Sequence, residues 1–167
     1  MSVATIRSHT QSAGTVPLRP PRPTRPNGYS RAQKEVFTDS GPLYAFFDAL
    51  APRHTDAVQL FRTAPPLVTT NMVIAEVVSL ASVRREPEFA VRVAERLLDG
   101  LPARIERVTA QDEVMAMRFL RRFAAHGTNL IDCTSFAVIS RLEVEVVFSF
   151  DHHFAPPGFF RLEPGPA

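Results

Sequence analysis

Apolar and polar positions along this chain change period at regular intervals. Nearly continuous apolar runs at residues 36–39, 67–70, 105–108 and 144–150 read as strands, and the last is apolar enough for a sheet centre buried on both faces. Between them, apolar residues recur every three or four positions, which predicts helices over 43–48, 52–64, 71–81, 87–99, 109–125 and 129–141. Ala57, Leu60 and Phe61 share a face of the second, and Val73, Ile74, Val77, Val78 and Ala81 share a face of the third. Residues 159–162 add a candidate last strand. Strands alternating with helices imply parallel pairing and right-handed crossovers, so the expected fold class is α/β with a mostly parallel central sheet.

Turn chemistry supports these boundaries. Ser40-Gly41-Pro42 places proline in the first turn of a helix, where its missing N–H costs nothing. Asn71 is a good cap for the third helix, and Gly100 and Gly127 stand just past helix ends. Thr109 with Asp112, and Asn129 with Asp132, have the spacing of capping boxes.

A chain of 167 residues suits one domain plus a tail. Five of the ten residues from 17 to 26 are proline, and residues 1–34 lack hydrophobic periodicity, so they are expected to form a disordered, Pro/Arg-rich tail ahead of a domain over 35–167. The tail also holds the positive charge. Arg7, Arg19, Arg22, Arg25, Arg31 and Lys34 give it +6 with no acid, leaving −4 on the rest of a chain whose net charge is +2. A mildly acidic domain fits a gathering of acids that holds a cation. Arginine supplies 18 of the 19 basic residues, which suits phosphate contact or reflects base composition of the gene; Arg53, Arg84, Arg85, Arg121 and Arg122 are the candidate phosphate grips. No apolar stretch approaches the roughly 20 residues a membrane span needs. With the lone Cys133 in a helical pattern and no signal-type segment, a cytoplasmic protein without a membrane is expected.

Four carboxylates carry the chemistry. Asp39 and Asp151 each follow an apolar strand, while Glu76 and Asp132 stand in the opening turns of predicted helices. An open parallel sheet collects such positions at the carboxyl ends of its strands. Each acid alone has a structural explanation, as capping partner, turn former or solvated charge. Glu76, however, is flanked by Val73, Ile74, Val77 and Val78, where an unpaired buried charge would cost several kcal/mol. Anions drawn together repel, and a divalent cation resolves the conflict; Mg²⁺ takes one or two carboxylates and leaves room for phosphate oxygens. A metal-dependent phosphodiesterase, with one ion or two, is therefore expected. His152 and His153 beside Asp151 suggest a zinc site less well than rim or substrate contacts, since His54 and His126 lack ligand spacing. There is no G-x-S-x-G elbow and no glycine-rich phosphate loop.

The stretches at 37–45, 69–76, 132–138 and 148–154, which hold these acids in order, resemble the four motifs of PIN-domain proteins and, among them, the VapC toxins of bacterial toxin–antitoxin pairs. That resemblance implies a three-layer α/β/α sandwich and Mg²⁺ or Mn²⁺ held by Asp39, Glu76, Asp132 and Asp151, with Ser40 and Asn71 as polar neighbours. It further implies cleavage of structured RNA, tRNA or rRNA, by metal-activated water, homodimerisation, and inhibition by a small antitoxin. Asn129 and Ile131 depart from the usual Ser and Thr before the third acid. The competing expectations are a PIN-like module that binds RNA or protein without efficient cleavage, and an RNA-processing nuclease with no antitoxin.

Overall fold

In the computed structural model, which describes residues 35–154 and 159–161, five short strands pair in one wholly parallel sheet. The tail expected over 1–34 lies outside the described residues. The strands are Val36–Thr38 (β1), Leu67–Thr70 (β2), Arg104–Glu106 (β3), Val146–Phe148 (β4) and Phe160–Arg161 (β5), in the order β3-β2-β1-β4-β5. β1, first in the chain, takes the middle, with Val36 opposite Leu67 on one side and Phe37 opposite Val147 on the other.

Side chains alternate across the sheet and so define two apolar layers. Val36, Leu67, Val146 and Phe148 face one way, against Ala57 and Leu60 of helix α2 (His54–Thr63) and Ala45 of α1 (Ser40–Phe47). Phe37, Val68 and Val147 face the other. There they meet α3 (Asn71–Arg84), α4 (Pro87–Leu98), α5 (Ala110–Phe123) and α6 (Leu130–Arg141). This is the expected α/β/α sandwich.

Most boundary shifts have a local cause. β1 stops at Thr38 because Asp39 becomes the N-cap of α1. The apolar run at 144–150 yields only Val146–Phe148 as strand, since the Val144 N–H folds back to Ile139 O at 3.1 Å and Ser149 turns away to bond Asp39. The cap of α3 is Thr70, not Asn71: Thr70 Oγ1 accepts from Val73 N at 3.1 Å, while Asn71 Oδ1 accepts from Val108 N at 2.8 Å. Asn71 thus ties the start of α3 to the connection after β3.

Both predicted capping boxes form. In the first, Thr109 Oγ1 accepts from Asp112 N at 3.2 Å and Asp112 Oδ2 accepts from Thr109 N at 2.9 Å, with Arg141 Nε donating to Asp112 Oδ1 at 3.0 Å. Thr109→Ala removes two hydroxyl bonds to Asp112, one of them the cap, and should lower the unfolding free energy by about 1 kcal/mol, measured by urea denaturation; no change would mean the Arg141 clamp alone holds the turn.

Several arginines expected at the substrate are engaged within the fold. Arg85 pairs with buried Asp48, which also accepts from Tyr44 Oη at 2.7 Å; this pairing pulls the Asp48 carboxyl down to about 2. The Arg84 guanidinium lies 5.2 Å from the Tyr44 ring centre. Arg53 stacks 4.0 Å over Phe150, the residue before Asp151, and binds Asp56 at 2.8 Å.

Candidate metal centre

Because every strand runs the same way, the turns that follow β1, β2 and β4 open at one edge of the sheet. Asp39 caps α1 directly after β1. Its backbone N–H is held by Phe148 O at 3.0 Å, and its side chain makes no bond into the first turn of the helix. The carboxylate instead accepts from Ser149 Oγ at 2.8 Å, and the same hydroxyl accepts from Asp151 N at 2.9 Å. One serine therefore links the acids that follow β1 and β4.

Glu76 is half-buried on the second turn of α3. Asp132 is the third residue of α6, where its Oδ2 accepts from Asn129 N at 2.9 Å. Asp151 lies three residues past β4, and its Oδ1 accepts from His153 N at 3.0 Å. The expected neighbours divide. Ser40 is buried with its backbone N–H near the Asp39 carboxylate, which it helps to keep ionised, whereas the Asn71 amide oxygen is taken by Val108.

The electrostatics show that these acids share one field. Burial pushes the Asp39 carboxyl up to about 7 against the pull of the Ser40 N–H and the Ser149 hydroxyl, and the charges of Asp132 and Glu76 raise it further. Asp132 is raised as well, first by burial, then by Asp151 and Glu76, with Asn129 N–H and His153 opposing. Cys133, buried beside it, is pushed up to about 11, which leaves an unreactive thiol.

A pH dependence follows with a definite sign. An aspartate whose carboxyl is raised from 3.8 to about 7 keeps its proton in the folded chain after the unfolded chain has lost it. That contribution is intact below the unfolded value and is lost as pH rises through the folded one. In EDTA the melting temperature should therefore decline between about pH 4 and 7 and then level off, and Asp39→Asn should flatten the decline. A saturating divalent ion should reverse the trend by binding the carboxylate form. Thermal melts across that range check this, and an EDTA profile identical in wild type and Asp39→Asn would exclude it.

The residues present fit a divalent cation. Asp39 and Asp132 are raised by burial and, to a lesser degree, by their acidic neighbours, and His153 Nδ1 is a buried polar atom with no hydrogen bond. Among the described residues, the acids and histidines whose ligand atoms all lie within 4.8 Å of one another are Asp151, His152 and His153, a set that holds one of the four expected acids and not Asp39, Glu76 or Asp132. Both histidines were expected at the rim or in contact with substrate. His152, 81% exposed at its side chain, is there; His153, 18% exposed, lies inside, 3.0 Å from Asp151 Oδ2 and 3.8 Å from Asp132 Oδ2. Ser149 was missed, and its only trace is a hydroxyl residue two positions before an acid.

Acids contributed by separated segments of a parallel α/β/α fold, two of them with raised carboxyls, make this a candidate metal centre. Residues 36–159 match the PIN domain, and the chain belongs to the PIN-domain family. It is 32% identical over 130 residues to the 23S rRNA-specific endonuclease VapC20 of Mycobacterium tuberculosis, covering 77% of this chain and 98% of that protein. The crystal structure of VapC20, a sarcin-ricin loop cleaving toxin, matches with a TM-score of 0.72 at 30% identity, over 77% of this chain and 99% of that one. FitAcB from Neisseria gonorrhoeae shares the fold, with a TM-score of 0.60 at 14% identity over 77% of this chain and 97% of that one.

Proposed function

We propose that this chain is a metal-dependent endoribonuclease that acts as the toxin of a toxin–antitoxin pair and cleaves structured ribosomal RNA. What supports it is a chain similar over most of its length to VapC20 that holds Asp39, Glu76, Asp132 and Asp151, one in each of the four motifs, with Asp39 and Asp132 each raised in part by the other acids. These four residues would hold Mg²⁺ or Mn²⁺. When bound, such an ion supplies water activation and charge neutralisation for phosphodiester hydrolysis.

The chain's own contribution is positioning. Ser149 fixes Asp39 relative to Asp151, and the Asn129 capping box fixes Asp132 at the start of α6. Burial keeps bulk water from Asp39 and Asp132, so their charges act on the site with little screening.

The test is incubation of purified protein with Mg²⁺ or Mn²⁺ and a 23S rRNA fragment containing the sarcin-ricin loop, beside tRNA and an EDTA control. Cleavage of the rRNA fragment alone, abolished by EDTA, is the expected result. Intact RNA of both kinds with folded, metal-loaded protein would overturn the proposal.

A small antitoxin as partner and a homodimer belong to the same proposal. Val114 and Met117 on α5 and Leu130 on α6 are 61%, 43% and 46% exposed, which is apolar surface suited to a second copy. Light scattering should give twice the 18.5 kDa chain mass; a monomer at micromolar concentration would count against the dimer. No described helix is long and apolar enough to cross a membrane.

A further inference from the structure

Resting on the metal-dependent reading above, we propose that His153 ligates the divalent ion through Nδ1 beside the carboxylates, so that the centre has a mixed nitrogen and oxygen donor set and favours Mn²⁺ over Mg²⁺.

His153 sits in a short 3-10 turn, His152–Phe154, anchored at both ends. Its own N–H is bonded to Asp151 Oδ1 at 3.0 Å, and the following Phe154 is fully buried, 5.1 Å from the Phe136 ring centre and 6.3 Å from that of Phe37. The ring is also blocked from behind. A Cβ built on Gly127 would lie 3.0 Å from His153 Nε2, so the imidazole rests against the connection between α5 and α6. Gly127 itself has a φ of +84°, which disfavours a side chain there.

Held this way, Nδ1 faces the acids. It lies 3.0 Å from Asp151 Oδ2 and 3.8 Å from Asp132 Oδ2, yet it is buried without a hydrogen bond. Bonds of about 2.1 Å in octahedral geometry put adjacent donors about 3.0 Å apart and opposite donors about 4.2 Å apart. The Asp151–His153 separation is that of neighbouring ligands on one ion. An aligned ion pair with Asp151 would explain the same closeness, but it would satisfy Nδ1 with a hydrogen bond, which is missing. His152 has its Nδ1 3.3 Å from Asp151 Oδ1 with an 81% exposed side chain, so solvent satisfies it. Imidazole suits transition metals, whereas Mg²⁺ prefers oxygen, and this sets the metal preference.

The probe is Mn²⁺ alone, bound to the full chain and read by electron spin-echo envelope modulation. A ¹⁴N modulation is expected in wild type, replaced by a ¹⁵N pattern when the protein is grown with ¹⁵N-histidine. It should persist in His152→Gln and vanish in His153→Gln. Calorimetry should show Mn²⁺ affinity lowered about tenfold or more in His153→Gln, with a smaller change for Mg²⁺. Should His153→Gln fail to fold, labelled wild type and His152→Gln still decide the matter. Bound Mn²⁺ without nitrogen modulation, or modulation lost in His152→Gln, overturns this inference and leaves the carboxylate centre standing. Absence of Mn²⁺ binding in every form overturns both.

Discussion

Asp132→Asn is expected to reduce metal-dependent RNA cleavage by about 100-fold or more, the upper end of what losing even an outer-shell partner costs. The substitution keeps the shape of the side chain and an oxygen to accept from the Asn129 N–H, so the capping box of α6 survives. What it removes is one of the anions that burial and the neighbouring acids hold in a raised state. Metal-free stability should accordingly be unchanged or slightly higher, because a repulsive buried charge has gone. The two readouts must separate: cleavage rate under saturating Mn²⁺ falls, while urea denaturation in EDTA at neutral pH does not. Retained activity would remove Asp132 from the centre, and a parallel loss of stability would make its role structural.

Phe136→Ala is expected to cost about 3 to 5 kcal/mol, a large share of the stability of a domain of this size. Phe136 is fully buried on α6, one turn past Asp132. Its ring centre lies 5.8 Å from Phe119, 6.3 Å from Phe123, 5.1 Å from Phe154 and 5.7 Å from Phe159, so truncation leaves an aromatic-lined cavity that rigid neighbours cannot close. Phe154 is held by that ring, and the turn carrying His153 is held by Phe154. The variant should therefore also bind Mn²⁺ more weakly under conditions where it remains folded. Urea denaturation followed by circular dichroism gives the first quantity and calorimetry the second; a loss below about 1 kcal/mol would mean the cluster repacks.

Where period and turn chemistry agreed, the sequence led directly to the structure. The two capping boxes and the glycines after α4 and α5 were legible because each depends on residues only a few positions apart. The four acids were singled out for another reason: parallel topology is expected to gather strand ends whatever their separation along the chain. The errors fell where a side chain had two uses. Asn71 has a good capping residue's chemistry, but the Val108 N–H, brought close by β3, competes for its amide and leaves the cap to Thr70. Arg85 looked like a phosphate contact until Asp48, thirty-seven positions away, supplied a buried partner. Ser149 escaped, and His153 was read only as a rim or substrate contact, because hydroxyl and imidazole groups beside an acid are common; only the fold shows that the Ser149 hydroxyl joins the Asp39 carboxylate to the Asp151 backbone N–H and that His153 Nδ1 has no hydrogen bond.

The central position of β1 bears on how the protein comes into being at the ribosome. β2 reaches β1 after a connection of modest length, but β4, its neighbour on the other side, is synthesised more than a hundred residues later. Until then Val36–Thr38 has one edge unpaired, and Asp39 lacks both the Phe148 carbonyl that fixes its backbone and the Ser149 hydroxyl that orients its carboxylate. Nascent chains released early would thus carry three of the acids on an unfinished sheet. Asp151, the last of the four acids to emerge, follows β4, so the edge beside β1 is finished only when most of the chain has been made.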